Sequence, residues 1–496
     1  MQHIPFNNQY VSLGDTFYVK TSPLPVASPS LIKLNDELAR ELGLSVSNLH
    51  AADAAALFSG NSIPEGAEPL AMAYAGHQFG HFNPQLGDGR AILLGEVISP
   101  DGERFDLHLK GSGHTVYSRG GDGRAALGPV LREYLVSEAM KKLDVPTTRA
   151  LAVVTTGEEV VRERLLPGGI ITRVASSFVR VGTFQFFAAK GDQEAVQKLA
   201  DHVIERNYPE ASEAKNPYVA LLKAVVDRQA ALIAQWMHLG FIHGVMNTDN
   251  MSIAGETIDY GPCAFMDIYD HDQVFSSIDR DGRYAYSNQP SIGLWNLTRL
   301  AESLLPLLAE STEAAVEVAR GVLETYIDHY QSEWLAGMQA KCGLFARSEK
   351  TSEEDKALIE ELLNTMAANH ADFTLTFYHL SQLPSQASEQ DSDIQAMFES
   401  QGELENWLAK WRQRLTKETL IDTERQEKMQ AVNPVYIPRN HQIEAAIRAA
   451  EDNNDFSVFH ELHEVLQNPY VQQQGKARYS LPPEPDEIVQ QTFCGT

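Results

Sequence analysis

The stretch His243-Gly244-Val245-Met246-Asn247-Thr248-Asp249-Asn250, followed by Asp259-Tyr260-Gly261, decides how this chain is read. A hard divalent cation such as magnesium takes few ligands from protein and the rest from water and phosphate, so one amide oxygen and one carboxylate suffice to hold it. Asn250 and Asp259 supply that pair. Alone, Asp249-Asn250 and Asp259-Tyr260-Gly261 are each ordinary turn chemistry. Context separates them from turns, because they follow an amphipathic helix and the apolar run Phe241-Ile242.

That helix is read over residues 218–239, where Leu221, Leu222, Val225, Val226, Leu232, Ile233 and Trp236 share one face and Gly240 stops the pattern. The loop it delivers has the spacing H-R-D-x-x-x-x-N, then D-F-G, by which protein kinases hold metal ions against nucleotide phosphates. Asn250 stands five residues after Val245, and Asp259-Tyr260-Gly261 is a D-F-G variant. Val245 occupies the place of the usual aspartate, so Asp249 becomes the nearest carboxylate for a hydroxyl proton.

A kinase-like site also needs a strand lysine and a helix glutamate to position phosphates. Residues 91–97 and 105–110 alternate around the turn Pro100-Asp101-Gly102, which predicts an antiparallel pair ending at Lys110. Glu133 lies early in a predicted helix of about four turns that carries Val130, Leu131, Tyr134, Leu135, Ala139 and Leu143, with Pro129 at its first position. Gly87-Asp88-Gly89-Arg90 and Arg119-Gly120-Gly121-Asp122-Gly123-Arg124 are glycine-rich loops whose amides can approach an anion. Arg173 and Arg180 flank the segment that joins the two halves. There guanidinium groups either clamp phosphate or make salt bridges. If they clamp phosphate, the triphosphate points inward and the α-phosphorus outward.

The organisation predicted is α+β: a protein-kinase-like two-lobed fold with a small mixed N-lobe, a large helical C-lobe and extensions at both ends. The divisions are 1–75, an N-terminal extension; 76–175, the N-lobe; 176–383, the C-lobe; 384–480, a helical extension; and 481–496, a loose tail. Helices are expected over residues 31–42, 294–308, 312–326, 352–367 and 404–415, and a solvated connection over 384–393. His77 and His81 have i, i+4 spacing, but the intervening glycines and the missing Glu favour structural histidines over zinc ligands.

With 496 residues, 43% hydrophobic, the chain is long enough for more than one core. A net charge of −27 argues against nucleic acid or anionic membrane as partner, so any anion site must be a local basic pocket. The start lacks a basic and apolar leader, which predicts a cytoplasmic protein. Three cysteines without a CxxC pair argue against a zinc knuckle or disulfide framework. Cys494, near the end, is a candidate redox thiol.

These motifs, together with Lys110-Gly111-Ser112-Gly113, resemble the selenoprotein O family over nearly the whole chain. The resemblance implies a kinase-like fold with a flipped nucleotide and transfer of AMP from ATP to Ser, Thr or Tyr hydroxyls of protein substrates, with room for manganese in place of magnesium and UTP in place of ATP. It implies nucleotide contacts at Gly87, Gly89, Arg90, Lys110, Asp122, Gly123, Arg173, Arg180 and Asp259. It further implies Asp249 as proton acceptor, Asn250 and Asp259 as metal ligands, Glu133 as the support of Lys110, and a redox role for Cys494 with Cys263 as its loop partner. An ordinary kinase moving the γ-phosphate and an ATP-binding scaffold without turnover are the alternatives.

Overall fold

In the computed structural model, residues 4–45, 49–346 and 348–492 are described. The sheet is built from strands β1 (Tyr18–Lys20), β2 (Ser30–Leu34), β3 (Leu70–Met72), β6 (Ala91–Ile98), β7 (Arg104–Lys110), β9 (Arg149–Val161) and β10 (Leu165–Ala175), with β8 (Ala125–Ala126) paired to β10. A separate hairpin joins β4 (Gly76–Gln78) to β5 (His81–Asn83). The strand order is β1-β3-β6-β7-β10-β9-β2, and every pairing in it is antiparallel. The predicted pair around Pro100-Asp101-Gly102 is β6–β7, with Ala91 opposite Lys110. β1, β2 and β3 come from the first 75 residues, which therefore share one sheet with residues 91–175.

Short helices α1 (Asp36–Glu41) and α2 (Ala51–Phe58) cover one side of the sheet, and α3 (Leu127–Lys142) covers the other. The helix expected over residues 31–42 is corrected: its first half is β2, zipped to β9 through Leu31–Val154 and Leu34–Ala152. Asn35 makes the switch, since its side chain accepts from Leu38 N and caps α1. Gly43, at φ +70°, ends it as expected.

α3 starts at Leu127 rather than Pro129. Proline is tolerated anywhere in a first turn, where amides have no helical acceptor, so it does not fix the start. Residues 127–140 of α3 are buried almost all round. One face meets β9 and β10, and the other meets α14 (Asn440–Asn453) and α15 (Ser457–Leu466) near the end of the chain. A glutamate on such a helix has no exit to solvent and must be paired inside.

The helical half begins with α4 (Val181–Ala188), α5 (Gln193–Asn207) and α6 (Pro217–Leu239), which is closed by Gly240 at φ +68°. The two-residue strands β11 (Phe241–Ile242) and β12 (Ala264–Phe265) pair with each other. Their pairing folds the intervening residues into one loop system. Then come α7 (Gln289–Leu308), α8 (Thr312–Lys341), α9 (Glu349–Ala368), α10 (Phe373–Leu380), α11 (Asp391–Gln395), α12 (Gln401–Leu415) and α13 (Asp422–Gln430). Several expected ranges were short, and α9 and α12 each start three residues earlier. α7 starts five residues earlier, with Pro290 in its first turn, and α8 runs on to Lys341 because Tyr330, Trp334, Leu335 and Met338 continue its apolar face. The far end of the expected 384–393 connection is taken into α11. No helix among the described residues is long and apolar enough to cross a membrane.

Candidate active site

Three chain crossings converge where the two halves meet. β7 delivers Lys110 and β10 delivers Arg173 from the sheet. The extended link after β10 pairs with residues beyond the His243 loop, through Val181 N to Met251 O and Ile253 N to Val179 O, and this sets Arg180 in place. His243 ties the two loops, its Nε2 donating to Ile258 O at 2.8 Å.

At the centre lies a chain of buried charges. Lys110 Nζ donates to Glu133 Oε2 at 2.6 Å, and Arg173 Nε donates to the other oxygen, Glu133 Oε1. Arg173 Nη2 reaches on to Asp259 Oδ1 at 2.6 Å. Arg180 lies 3.6 Å from Asp259 Oδ2 and 3.7 Å from Asp88 Oδ1, with its guanidinium over the Tyr74 ring. Burial penalises both carboxylates, yet Arg173 and Lys110 hold Glu133, and Arg173, Arg180 and Lys110 hold Asp259, below the usual carboxylate range. Asp259 is thereby kept ionised. It also sits at φ +62°, a left-handed conformation costly for a residue with a Cβ and typical of functional loops.

Lys110, Arg173, Arg180, Asp88 and Asp259 border a cavity of about 690 Å³. Its lining includes Arg90, Lys110, Arg119, Arg124, Arg162, Arg173 and Arg180 against Asp88, Asp122, Asp249 and Asp259. Seven cationic side chains face four acidic ones, in a chain whose net charge is −27. This is the local basic pocket that an anion would require.

The sequence-read residues Gly87, Gly89, Arg90, Lys110, Asp122, Gly123, Arg173, Arg180, Asp249, Asn250 and Asp259 all line this one cavity. Gly87 is at φ +67°, and a side chain there would run into the Tyr117 ring. Asp122, on the exposed rim of the cavity, pairs with Arg162 at 2.8 Å. Asn250 Nδ2 is committed to Val245 O at 3.0 Å, so its amide oxygen is the end left for a ligand. Together with the ionised Asp259 carboxylate, this donor set fits a hard divalent cation completed by water and phosphate.

Asp249 differs from Asp259. Burial pushes its carboxyl up to about 7, with Arg180 only partly offsetting. A carboxyl whose folded pKa is raised above its unfolded value favours the fold below the unfolded value, and that advantage is lost as pH rises through about 7. Asp249→Asn is therefore expected to raise the melting temperature by a few degrees at pH 8 and by nothing at pH 4. Equal melting curves at both pH values would contradict this environment.

The redox candidates stand apart. Cys263 is fully buried under α3, and burial pushes its thiol up to about 12, the setting of an inert thiol. Cys494 lies outside the described residues, although Thr492 docks beside Cys263, its Oγ1 donating to Pro262 O at 2.6 Å. His77 and His81 form no metal site: His77 Nδ1 is bonded to Gln185 and its ring packs on Phe82 and Trp295, while His81 is exposed.

A family model described as protein adenylyltransferase SelO matches residues 1–467. The chain belongs to that family. It is 58% identical over 494 residues to the protein nucleotidyltransferase YdiU of Rhodopseudomonas palustris (strain BisB5), covering 100% of this chain and 99% of that protein. It is 57% identical to the protein of the same name from Rhizobium johnstonii, covering 99% and 97%, and 57% identical to that of a Bradyrhizobium species, covering 100% and 99%.

Sequence reasoning on this SelO-family chain missed three groups. Asp88, inside a motif read for its glycines, is buried and bonded to His108 Nε2 at 3.2 Å and to Met72 N at 3.1 Å. Arg162 comes from the β9–β10 turn and had no motif around it. Gln78 reaches Asp249 from the β4–β5 hairpin, a stretch read only for His77 and His81.

Proposed function

We propose that this chain is a two-lobed, kinase-like protein adenylyltransferase that transfers AMP from ATP to Ser, Thr or Tyr hydroxyls of other proteins and releases pyrophosphate. The observation that carries the reading is the distribution of charge in the cavity. Its deep end holds the buried cations Lys110, Arg173 and Arg180, which are 6%, 2% and 2% exposed, beside Asp259, a carboxylate able to share a cation with phosphate. Its outer end is the exposed loop of Arg119 to Asp122. A triphosphate is matched by the deep end, so the β- and γ-phosphates point inward and the α-phosphorus lies toward solvent and the acceptor.

In this reading Arg173 and Arg180 bind the inner phosphates as Lys110, held by Glu133, neutralises a further oxygen. Gly87, Gly89, Arg90, Asp122 and Gly123 wrap the rest of the nucleotide. Asn250 and Asp259 would hold a magnesium or manganese ion, which supplies charge neutralisation to the polyphosphate when bound. Asp249 receives the proton of the acceptor hydroxyl as its oxygen bonds to the α-phosphorus. The bond from that phosphorus to the bridging oxygen breaks, and the electron pair leaves with pyrophosphate. Most of the rate comes from positioning and electrostatics. The names of the adenylyltransferase family and of its nucleotidyltransferase relatives support the same chemistry.

With magnesium ATP and a hydroxyl-rich acceptor polypeptide, pyrophosphate should appear in step with acceptor modification, and each modification should add one adenylate to the acceptor mass. ADP release with phosphate addition would replace this reading by kinase action. UTP in place of ATP should add uridylate at the same acceptor.

A further inference from the structure

The β4–β5 hairpin belongs to none of the nucleotide contacts, yet it is bonded to the loop that carries Asp249. His77 N donates to Thr248 Oγ1 at 2.7 Å, and Phe79 N donates to Asn247 Oδ1 at 3.1 Å. Thr248 in turn donates to Gln185 of α4 at 2.6 Å, and Gln185 returns to His77 at 2.8 Å. Within this frame, Gly76 lies directly against the Asp249 side chain. A methyl on Gly76 would overlap the Asp249 carboxylate and lie 2.9 Å from its Cβ, with no other group among its three nearest atoms. Gly76 has no positive φ, so its backbone would accept alanine. Its lack of a side chain serves the carboxylate.

The two carboxylate oxygens are treated differently. Oδ1 is buried with no hydrogen-bond partner among the described residues, whereas Oδ2 takes Gln78 Nε2 at 3.4 Å, and both residues line the cavity. An unpaired buried oxygen is costly and persists only where the surroundings fix it. We infer that Gly76 and Gln78 form a seat that holds Asp249 with Oδ1 sealed against the hairpin and Oδ2 turned to the acceptor hydroxyl. They are positioning residues: Gly76 sets the depth of the carboxylate, and Gln78 sets its rotation. The 3.4 Å hydrogen bond from Gln78 is expected to tighten in the reacting complex.

This inference rests on Asp249 as proton acceptor. The test compares wild type, Gly76→Ala, Gln78→Leu and Asp249→Asn for transfer of label from α-labelled magnesium ATP to a hydroxyl-rich acceptor polypeptide, with nucleotide affinity measured by titration of a fluorescent ATP analogue. Gly76→Ala should lower kcat about a hundredfold and Gln78→Leu about tenfold, with nucleotide Kd within about twofold of wild type, since only the carboxylate is displaced. A seat is overturned if both variants keep the wild-type kcat, or if nucleotide affinity falls in proportion to kcat. Should Gly76→Ala not fold, Gln78→Leu decides by the same criteria. Full activity in Asp249→Asn would remove the proton-acceptor reading itself. An inactive Asp249→Asn beside fully active Gly76→Ala and Gln78→Leu would remove the seat alone.

Discussion

Replacing Asp259 with alanine is expected to lower AMP transfer by at least about a thousandfold, the scale on which loss of a preorganised electrostatic group acts. Its carboxylate is shared by Arg173 and Arg180, and in the proposed function it holds the cation together with Asn250. Two further effects should accompany the loss. The pKa of Asp259 is held down in the fold, so its contribution to stability is present above the unfolded value near 4 and disappears as pH falls through the folded one. Asp259→Ala should therefore melt lower than wild type at pH 7, with the gap closing in acid. The cavity also gains positive charge, so ATP binding in the presence of chelator should hold or strengthen while turnover is lost. Transfer at the wild-type rate would refute the ligand assignment.

The second large effect concerns Glu133. Its two oxygens satisfy Lys110 and Arg173 separately, and all three side chains are at most 8% exposed. Removing one member of a buried charged network leaves the others desolvated and unpaired, which costs about 3–5 kcal/mol. Glu133→Ala leaves Lys110 without its carboxylate partner and Arg173 with Asp259 alone. It should lower the melting temperature by several degrees and reduce transfer as Lys110 loses its anchor. Glu133→Gln, which keeps the shape and one acceptor oxygen, should recover part of the stability but little activity. Thermal unfolding at pH 7 with parallel transfer assays checks both. A Glu133→Ala protein as stable as wild type would mean that water satisfies Lys110 and Arg173 in its place.

Much of this site was legible because its chemistry is written in local spacing. Asn250 and Asp259 are placed by a helix stop at Gly240 and a two-residue strand pair, and Lys110 by a hairpin turn. Each of these leaves a short-range signature. The salt bridges of Arg173 and Arg180 were visible only as one of two possibilities, phosphate clamp or ion pair. In the fold they are ion pairs to Glu133, Asp88 and Asp259. Under the proposed function the same groups would exchange a carboxylate partner for phosphate.

The features hidden from the sequence are long-range. Residues 31–34 carry three apolar positions that suit a helix as well as a strand, and only pairing with β9, more than a hundred residues away, decides. α3 has no polar stripe because α14 and α15 cover the face that would otherwise meet water, and nothing near residue 130 announces residues 440–466. Gln78 was invisible for the same reason: its partner is 171 positions away, and a glutamine beside glycines carries no motif.

The direction in which the nucleotide lies is the claim on which the rest depends, and labelled ATP tests it most directly. Incubated with magnesium and an acceptor polypeptide, ATP labelled at the α-phosphorus should leave its label on protein, and ATP labelled at the γ-phosphorus should leave none. Label retained from the γ-position, with none from the α-position, would contradict the account.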